Sequence, residues 1–305
     1  MRPVFHWNLG SRSLELGKRT LIMGIVNVTP DSFSDGGEFV DPDNALKHAL
    51  RLLDQGADIV DVGGESTRPG ARVEAAEGVH SEHLSPAPTV SAEAELKRVV
   101  PVITDLKKRC PAAVISVDTY KSTVARAAVN AGAEIVNDVS GFHWDSQMIS
   151  TLADLQCGAV LMHMRGRPEQ WRNLPPPEDV VSLVKGELQQ WAKTAVSAGV
   201  QRGRIVLDPG FGFGKNIGHN LELMNGLSLF HSLGCPLVVG ASRKRTIGAL
   251  SAEAPTDQRL GGSIAFALKA AEQGAQIVRV HDVFETVQAL RIWRGLRDQA
   301  LTPRL

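Results

Sequence analysis

Along the chain a brief run of apolar, mostly β-branched residues recurs, ends in a polar or glycine-rich turn, and is followed by a longer amphipathic stretch. The runs cover 21–26, 58–62, 113–117, 134–136, 159–162, 204–207, 236–239 and 276–280. Short apolar runs of this kind predict strands buried in a parallel sheet. The stretches 44–55, 92–109, 122–131, 182–198 and 260–273 place apolar residues three and four apart and predict helices packed on that sheet. Gly56, Gly132, Gly199 and Gly274 stand at helix ends, where a left-handed residue stops a helix before the next strand.

Eight strands alternating with helices predict an α/β fold, and the count of eight predicts closure into a parallel β/α (TIM) barrel. An open doubly wound sheet is the structural alternative. Residues 1–20 read as an N-terminal hairpin extension of a single domain spanning 1–305. One segment breaks the rhythm. Residues 72–90 lack a period and are rich in small, polar and Pro residues, so 71–91 is expected to be an extended loop after the second strand, solvated and not a metal site.

In a β/α barrel, catalytic groups stand where strands give way to the following loops. Those positions hold Asn27, the Asp61-Val62-Gly63-Gly64-Glu65 string, Asp118, Asn137-Asp138, His163, Asp208, Ser242-Arg243-Lys244 and Arg279-Val280-His281-Asp282. A strand-end Asp is often a helix N-cap, the reading that suits Asp282. His163 reads as a satisfied core histidine in preference to a catalyst. Arg279 and His281 lie two apart in a strand and share a face; read as a cationic pair without nearby acids, they predict, with Lys244, a phosphate or diphosphate site. Asp118, Asn137 and Asp208 supply paired acceptors and an amide, a set suited to a flat heterocycle with adjacent N–H donors. Asn27 supplies a neutral oxygen for magnesium, which takes few protein ligands when it bridges substrate phosphates. No Ser-His-Asp arrangement with nucleophile-elbow spacing occurs, so a leaving diphosphate is the simpler way to generate an electrophile.

Composition narrows the field. Of the 305 residues 43% are hydrophobic, ample for a sizeable core, and 33 basic residues balance 33 acidic ones. No global field therefore favours nucleic acid or an anionic membrane, and any bound anion depends on local groups. Cys110, Cys157 and Cys235 are widely spaced with no CxxC pair, which fits reduced thiols. The N-terminus lacks an apolar leader and no run approaches the ~18 apolar residues of a membrane span, so a cytoplasmic protein is expected. The Asn27-Val28-Thr29 glycosylation triplet is read as accidental.

Longer strings carry a resemblance. GIVNVTPDSFSDGG at 24–37 and DVGGESTRPG at 61–70 resemble the first two signatures of the dihydropteroate synthase family. In order there follow ISVDT at 115–119, NDV at 137–139, LMHM at 161–164, LDPGFGFGK at 207–215, SRK at 242–244 and RVHD at 279–282. The resemblance spans roughly residues 21–290. It implies a pterin-binding TIM barrel that joins 6-hydroxymethyl-7,8-dihydropterin diphosphate to p-aminobenzoate in folate biosynthesis, releasing diphosphate and 7,8-dihydropteroate. By motif, Asp118, Asn137, Met162, Asp208 and Lys244 would hold the pterin. Asn27, Arg68, Arg279 and His281 would hold the diphosphate with magnesium, Asn27 as metal ligand. Thr67, Arg68, Pro69, Gly212 and Phe213 would shape the p-aminobenzoate site. Asp118, Lys244 and Asn27 would be catalytic, in a mechanism where the C–O bond breaks before the aryl amine attacks.

The resemblance also implies a homodimer through outer helices near the C-terminus, and sulfonamides as competitors of p-aminobenzoate. Two departures stand out. Arg245 occupies the position after Ser-Arg-Lys where relatives often carry a Ser that receives the carboxylate, and 72–90 is longer than the usual connection. Two other readings are a corrinoid-linked methyltetrahydrofolate methyltransferase, disfavoured by the Lys244, Arg279 and His281 set, and an inactive pterin-binding paralogue, which would be expected to have lost one of those residues or Asn27.

Overall fold

The computed structural model describes residues 3–29, 42–65 and 90–297. Thr67, Arg68, Pro69 and the expected loop after the second barrel strand, apart from its last residues, lie outside the described residues.

The chain opens with a hairpin of β1 (Phe5–Asn8) and β2 (Ser13–Leu16), paired antiparallel. Eight parallel strands follow: β3 (Leu21–Asn27), β4 (Ile59–Gly63), β5 (Val114–Asp118), β6 (Ile135–Asp138), β7 (Gly158–Met162), β8 (Ile205–Asp208), β9 (Val238–Val239) and β10 (Ile277–Val280). Each pairs with its neighbour in sequence from β3 to β8, β10 pairs with both β3 and β9, and a parallel bridge between Leu207 and Leu237 closes the ring. The barrel, and not the open sheet, is the fold. Only β9 is much shorter than its apolar run, because Leu237 is spent on that seam.

The helices wrap the outside: α1 (Pro42–Asp54), α2 (Ala92–Arg109), α3 (Ser122–Asn130), α4 (Met148–Leu155), α5 (Val180–Ser197), α6 (Ile217–Asn225), α7 (Arg245–Leu250), α8 (Leu260–Glu272) and α9 (Val283–Arg297). α2 shows why such a stretch is helical. Ser91 Oγ accepts the Ala94 N–H at its start, Lys107, Lys108 and Arg109 complement the dipole at its end, and Val99, Ile103 and Leu106 face the sheet. Gly56, Gly132, Gly199 and Gly274 all take positive φ, as expected after α1, α3, α5 and α8.

Strand alternation divides the apolar residues in two. Outward-facing Val60, Val62, Ile115, Val117, Ala159 and Leu161 join the helices in one core. Inward-facing Met23, Ile59, Val114, Ile135, Val160, Val206, Val238 and Ile277 form the lowest layer inside the barrel, against Trp7, Leu9 and Leu16 of the hairpin. The hairpin thus plugs the N-terminal end. Trp7 is fully buried and donates its indole N–H to Arg204 O at 2.7 Å. Gly158 makes room for it, since a Cβ there would lie 2.5 Å from Leu9 Cδ2.

Candidate active site

Two residues beyond each member of the apolar layer, and so on the same inward face, stand Ile25, Asp61, Ser116, Asn137, Met162, Asp208, Gly240 and Arg279. Another step along reaches Asn27, Gly63, Asp118 and His281. The interior therefore changes from apolar floor to polar mouth within two residues. Register brings the mouth together: Asn27 lies opposite Gly63, Gly63 opposite Asp118, Asp118 opposite Asn137, and Met162 opposite Asp208. Gly63 allows this packing, because a Cβ there would meet Asp118 Cβ at 3.3 Å.

Arg279 crosses the barrel. Its Nε donates to Asp61 Oδ2 at 2.6 Å and its Nη2 to Asp118 Oδ2 at 2.6 Å. The expectation of a cation pair without nearby acids is therefore corrected: Arg279 is held by two carboxylates, one of them on a strand 218 positions away. Asn137, 4% exposed, donates from Nδ2 to the same Asp61 oxygen at 3.0 Å. Burial raises the Asp118 carboxyl above its ordinary range, with Arg279 opposing and Asp61 adding to the rise. Burial likewise raises Asp208, with Lys244 opposing.

The loop after β8 forms the opposite wall. Asp208 Oδ1 accepts the Gly210 N–H at 2.7 Å. Gly210 has φ +68°, and a Cβ there would sit 1.8 Å from His163 O, so no other residue fits without movement. Lys215, buried, donates to the carbonyls of Gly210 at 2.8 Å, Phe213 at 3.2 Å and His163 at 3.3 Å, clasping the loop shut. Gly212 is left-handed too and its N–H reaches Asn220 Oδ1. Lys244 donates to Phe211 O and places its ammonium 4.4 Å from the centre of the Phe213 ring. Burial lowers Lys244 to about 8, with Asp208 opposing. Met162, buried, belongs to a small apolar patch with Tyr120, Val139 and Met164 that Phe213 flanks.

His281 lies half-buried, its Nδ1 3.0 Å from Ser242 Oγ. Asp282 was expected to cap α9. Its carboxylate instead binds the Arg243 guanidinium, at 3.0 Å from Nε and with a second bond from Nη2, pinning the Ser-Arg-Lys turn to the end of β10. Arg243 takes φ +56° in that turn. Arg245 is exposed at the start of α7, with no hydrogen bond to the site among the described residues. His163 faces outward: fully buried, it bonds Glu187 at 2.7 Å and stacks on Trp191, and burial lowers it to about 4. It is a core histidine with no part in the mouth, but it is only half satisfied, since its buried Nδ1 has no hydrogen-bond partner among the described residues.

Three groups escaped the sequence reading as site components. Asp61 and Lys215 stand inside quoted strings but point to partners that only folding supplies. The third is a buried ion cluster at the root of the second signature, where Lys121 Nζ binds both Glu65 and, at 2.7 Å, Glu95. Period-two spacing after Ile59 was the one signal available for Asp61.

A family model described as pterin binding enzyme matches residues 23–281. Dihydropteroate synthase of Escherichia coli strain K12 is 44% identical over 271 residues, covering 89% of this chain and 89% of that protein. The Bacillus subtilis dihydropteroate synthase is 44% identical over 287 residues, 94% of this chain and 92% of its own. A solved Xanthomonas albilineans dihydropteroate synthase with 4-aminobenzoic acid superposes with a TM-score of 0.85 at 42% identity, covering 99% of this chain and 100% of that one. A structure of the same organism's enzyme in complex with 7,8-dihydropteroate gives a TM-score of 0.82 at 40% identity, covering 98% and 100%. With this match over nearly the whole length, on a barrel whose mouth gathers the signature residues, the chain belongs to the pterin-binding enzymes, in the dihydropteroate synthase family.

Proposed function

We propose that this chain condenses 6-hydroxymethyl-7,8-dihydropterin diphosphate with p-aminobenzoate to give 7,8-dihydropteroate and diphosphate. The observation that carries the reading is the gathering of Asp118, Asn137, Asp208, Lys244 and Arg279 at one mouth of the barrel. Carboxylates and an amide stand there beside two cations, the groups that a donor-edged heterocycle bearing an anionic leaving group requires.

In this reading Asp208 and Asn137 hold the pterin ring, Met162 packs on it, and Lys244 donates to its polar edge. The bond from the pterin methylene carbon to oxygen breaks, and the electron pair leaves with the diphosphate. Asp118 faces the positive charge that develops on the methylene and ring. The p-aminobenzoate nitrogen then attacks that carbon, forms the C–N bond and loses a proton. Arg279 Nη1 has no hydrogen bond among the described residues, which suits it, with His281, Asn27 and Arg68, to the departing diphosphate. Thr67, Arg68, Pro69, Gly212, Phe213 and Arg245 are assigned to p-aminobenzoate.

The donor set fits magnesium. Asn27 offers one neutral amide oxygen at the mouth, and no group of three or more His, Cys, Asp or Glu among the described residues forms a protein cage. That pattern belongs to a cation held largely by substrate oxygens. When bound, magnesium would neutralise charge on the leaving diphosphate.

The protein is further proposed to be a cytoplasmic homodimer inhibited by sulfonamides. Three free cysteines support a reducing compartment. Among the described residues no helix is long and apolar enough to cross a membrane. Exposed Phe284, Ile292 and Leu296 on α9, with Leu250 on α7, support an interface near the C-terminus. The reading is tested by incubating the purified protein with the pterin diphosphate, p-aminobenzoate and magnesium. Dihydropteroate formed in proportion to enzyme supports it, and no product from fresh substrates rejects it.

A further inference from the structure

Asp61 has no role in the chemistry above, yet its carboxylate holds two groups of the site at once. It lies on β4 in the middle inward layer and is 0% exposed. A single oxygen, Oδ2, accepts from Arg279 Nε at 2.6 Å and Asn137 Nδ2 at 3.0 Å, while the other arm of Arg279 reaches Asp118 at 2.6 Å. One buried carboxylate thus ties β4 to β6 and β10, and through Arg279 to β5.

The consequence concerns Asn137. An amide has two ends of nearly equal size, one accepting and one donating, while a carboxylate only accepts. A carbonyl oxygen turned toward Asp61 would face a negative oxygen in a dry interior, where repulsion is strong. The NH2 end must therefore face Asp61, and Asn137 Oδ1, which has no hydrogen bond among the described residues, is left to meet a ligand. Arg279 gains from the same contact. Were Asp118 its sole partner, it would lose its anchor whenever Asp118 engaged a substrate.

Building on the dihydropteroate synthase reading, we propose that Asp61 is the positioning residue of the pterin site, locking the Asn137 amide with its carbonyl oxygen toward the heterocycle and keeping Arg279 in place when Asp118 meets substrate. The ring edge facing Asn137 must then carry an N–H donor. An analogue with an acceptor there meets oxygen against lone pair and is refused, a polar mismatch that costs far more than a change of size.

The test is steady-state kinetics on Asp61→Asn and on the double variant Asp61→Asn/Asn137→Asp, beside the unmodified protein. Asp61→Asn keeps the shape but loses the charge that dictates the amide. It is expected to raise KM for the pterin diphosphate at least tenfold, with KM for p-aminobenzoate changed less than threefold. The double variant exchanges the two ends of the bond: an amide at 61 donates to a carboxylate at 137, whose other oxygen again faces the ring. At least half of the lost logarithm of pterin KM should return. An unchanged pterin KM in Asp61→Asn, or a double variant no better than the worse single one, overturns the proposal. If Asp61→Asn does not fold, a neutron structure of the unmodified protein with bound pterin decides the matter. Asn137 deuterons directed at Asp61 support the proposal, and a reversed amide overturns it. The two failures are distinguishable: an unmodified enzyme that makes product while Asp61→Asn binds pterin normally sinks the positioning role alone, whereas an unmodified protein that makes no product sinks the enzymatic reading beneath it.

Discussion

In the proposed reaction, Lys244 and Asp118 are expected to set opposite limbs of the pH profile. Burial lowers Lys244 to about 8, so its ammonium is lost as pH rises through that value. Burial raises Asp118, so its carboxylate is lost at a higher pH than an exposed Asp as acidity increases. If both act charged, kcat/KM against pH is a narrow bell. Lys244→Arg carries a charge that does not titrate in this range, and it should extend the alkaline limb while leaving the acid limb in place. An unmoved alkaline limb would remove Lys244 from this role. Lys244→Ala should lower kcat/KM roughly 10- to 150-fold, the equivalent of about 1.5–3 kcal/mol for a lost charged hydrogen bond; full activity would dismiss the assignment. At this scale the sequence exposed Asp118, Asn137, Asp208 and Lys244, because strand-end position and residue type are local facts. It hid Asp61, whose role depends on a partner 218 residues on. It also hid the two carboxylates that hold Arg279, because acids brought round a barrel are invisible along a chain.

Among the elements, the loop after β8 is the most constrained. Gly210→Ala would put a methyl 1.8 Å from His163 O at φ +68°, and a loss of about 2–4 kcal/mol in denaturant unfolding is expected. A stability change under 0.5 kcal/mol would mean that the loop yields easily and that Lys215 does not clasp it. The junction after β7 supplies a pH test. His163 is lowered by burial, chiefly, with Lys215 contributing. The unfolded chain, with an imidazole near 6.5, binds the proton first as pH falls, so stability declines between about 6.5 and 4 and is retained above that window. His163→Phe should flatten that slope while both KM values stay within about twofold, since the ring points away from the mouth. Strand positions were legible to within a residue or two because periodicity is a property of neighbours. The shortness of β9 was not, since the Leu207–Leu237 seam depends on how the ring closes.

For the molecule as a whole, the hairpin and the outer helices carry the tests. Trp7 seals the barrel floor against inward residues of the strands, so Trp7→Ala should cost about 3–5 kcal/mol by denaturant titration. A cost below 1 kcal/mol would show that the barrel does not need its plug. In the proposed dimer, Ile292→Glu with Leu296→Glu should shift sedimentation from dimer to monomer without unfolding, because both side chains are exposed in the single chain. A double variant that stays dimeric moves the interface elsewhere.

The succession of eight strands, the helices and their glycine stops, and the residue types at each strand end were determined by the sequence alone, since each rests on contacts between near neighbours. Which of those strand-end groups meet was decided by the closed barrel. Register and the inward pleat stack apolar floor beneath polar mouth, bring Arg279 to Asp61 and Asp118, turn His163 outward onto Trp191, and send the Asp282 carboxylate to Arg243. Charges choose partners by distance in space, and the chain by itself states only distance along itself.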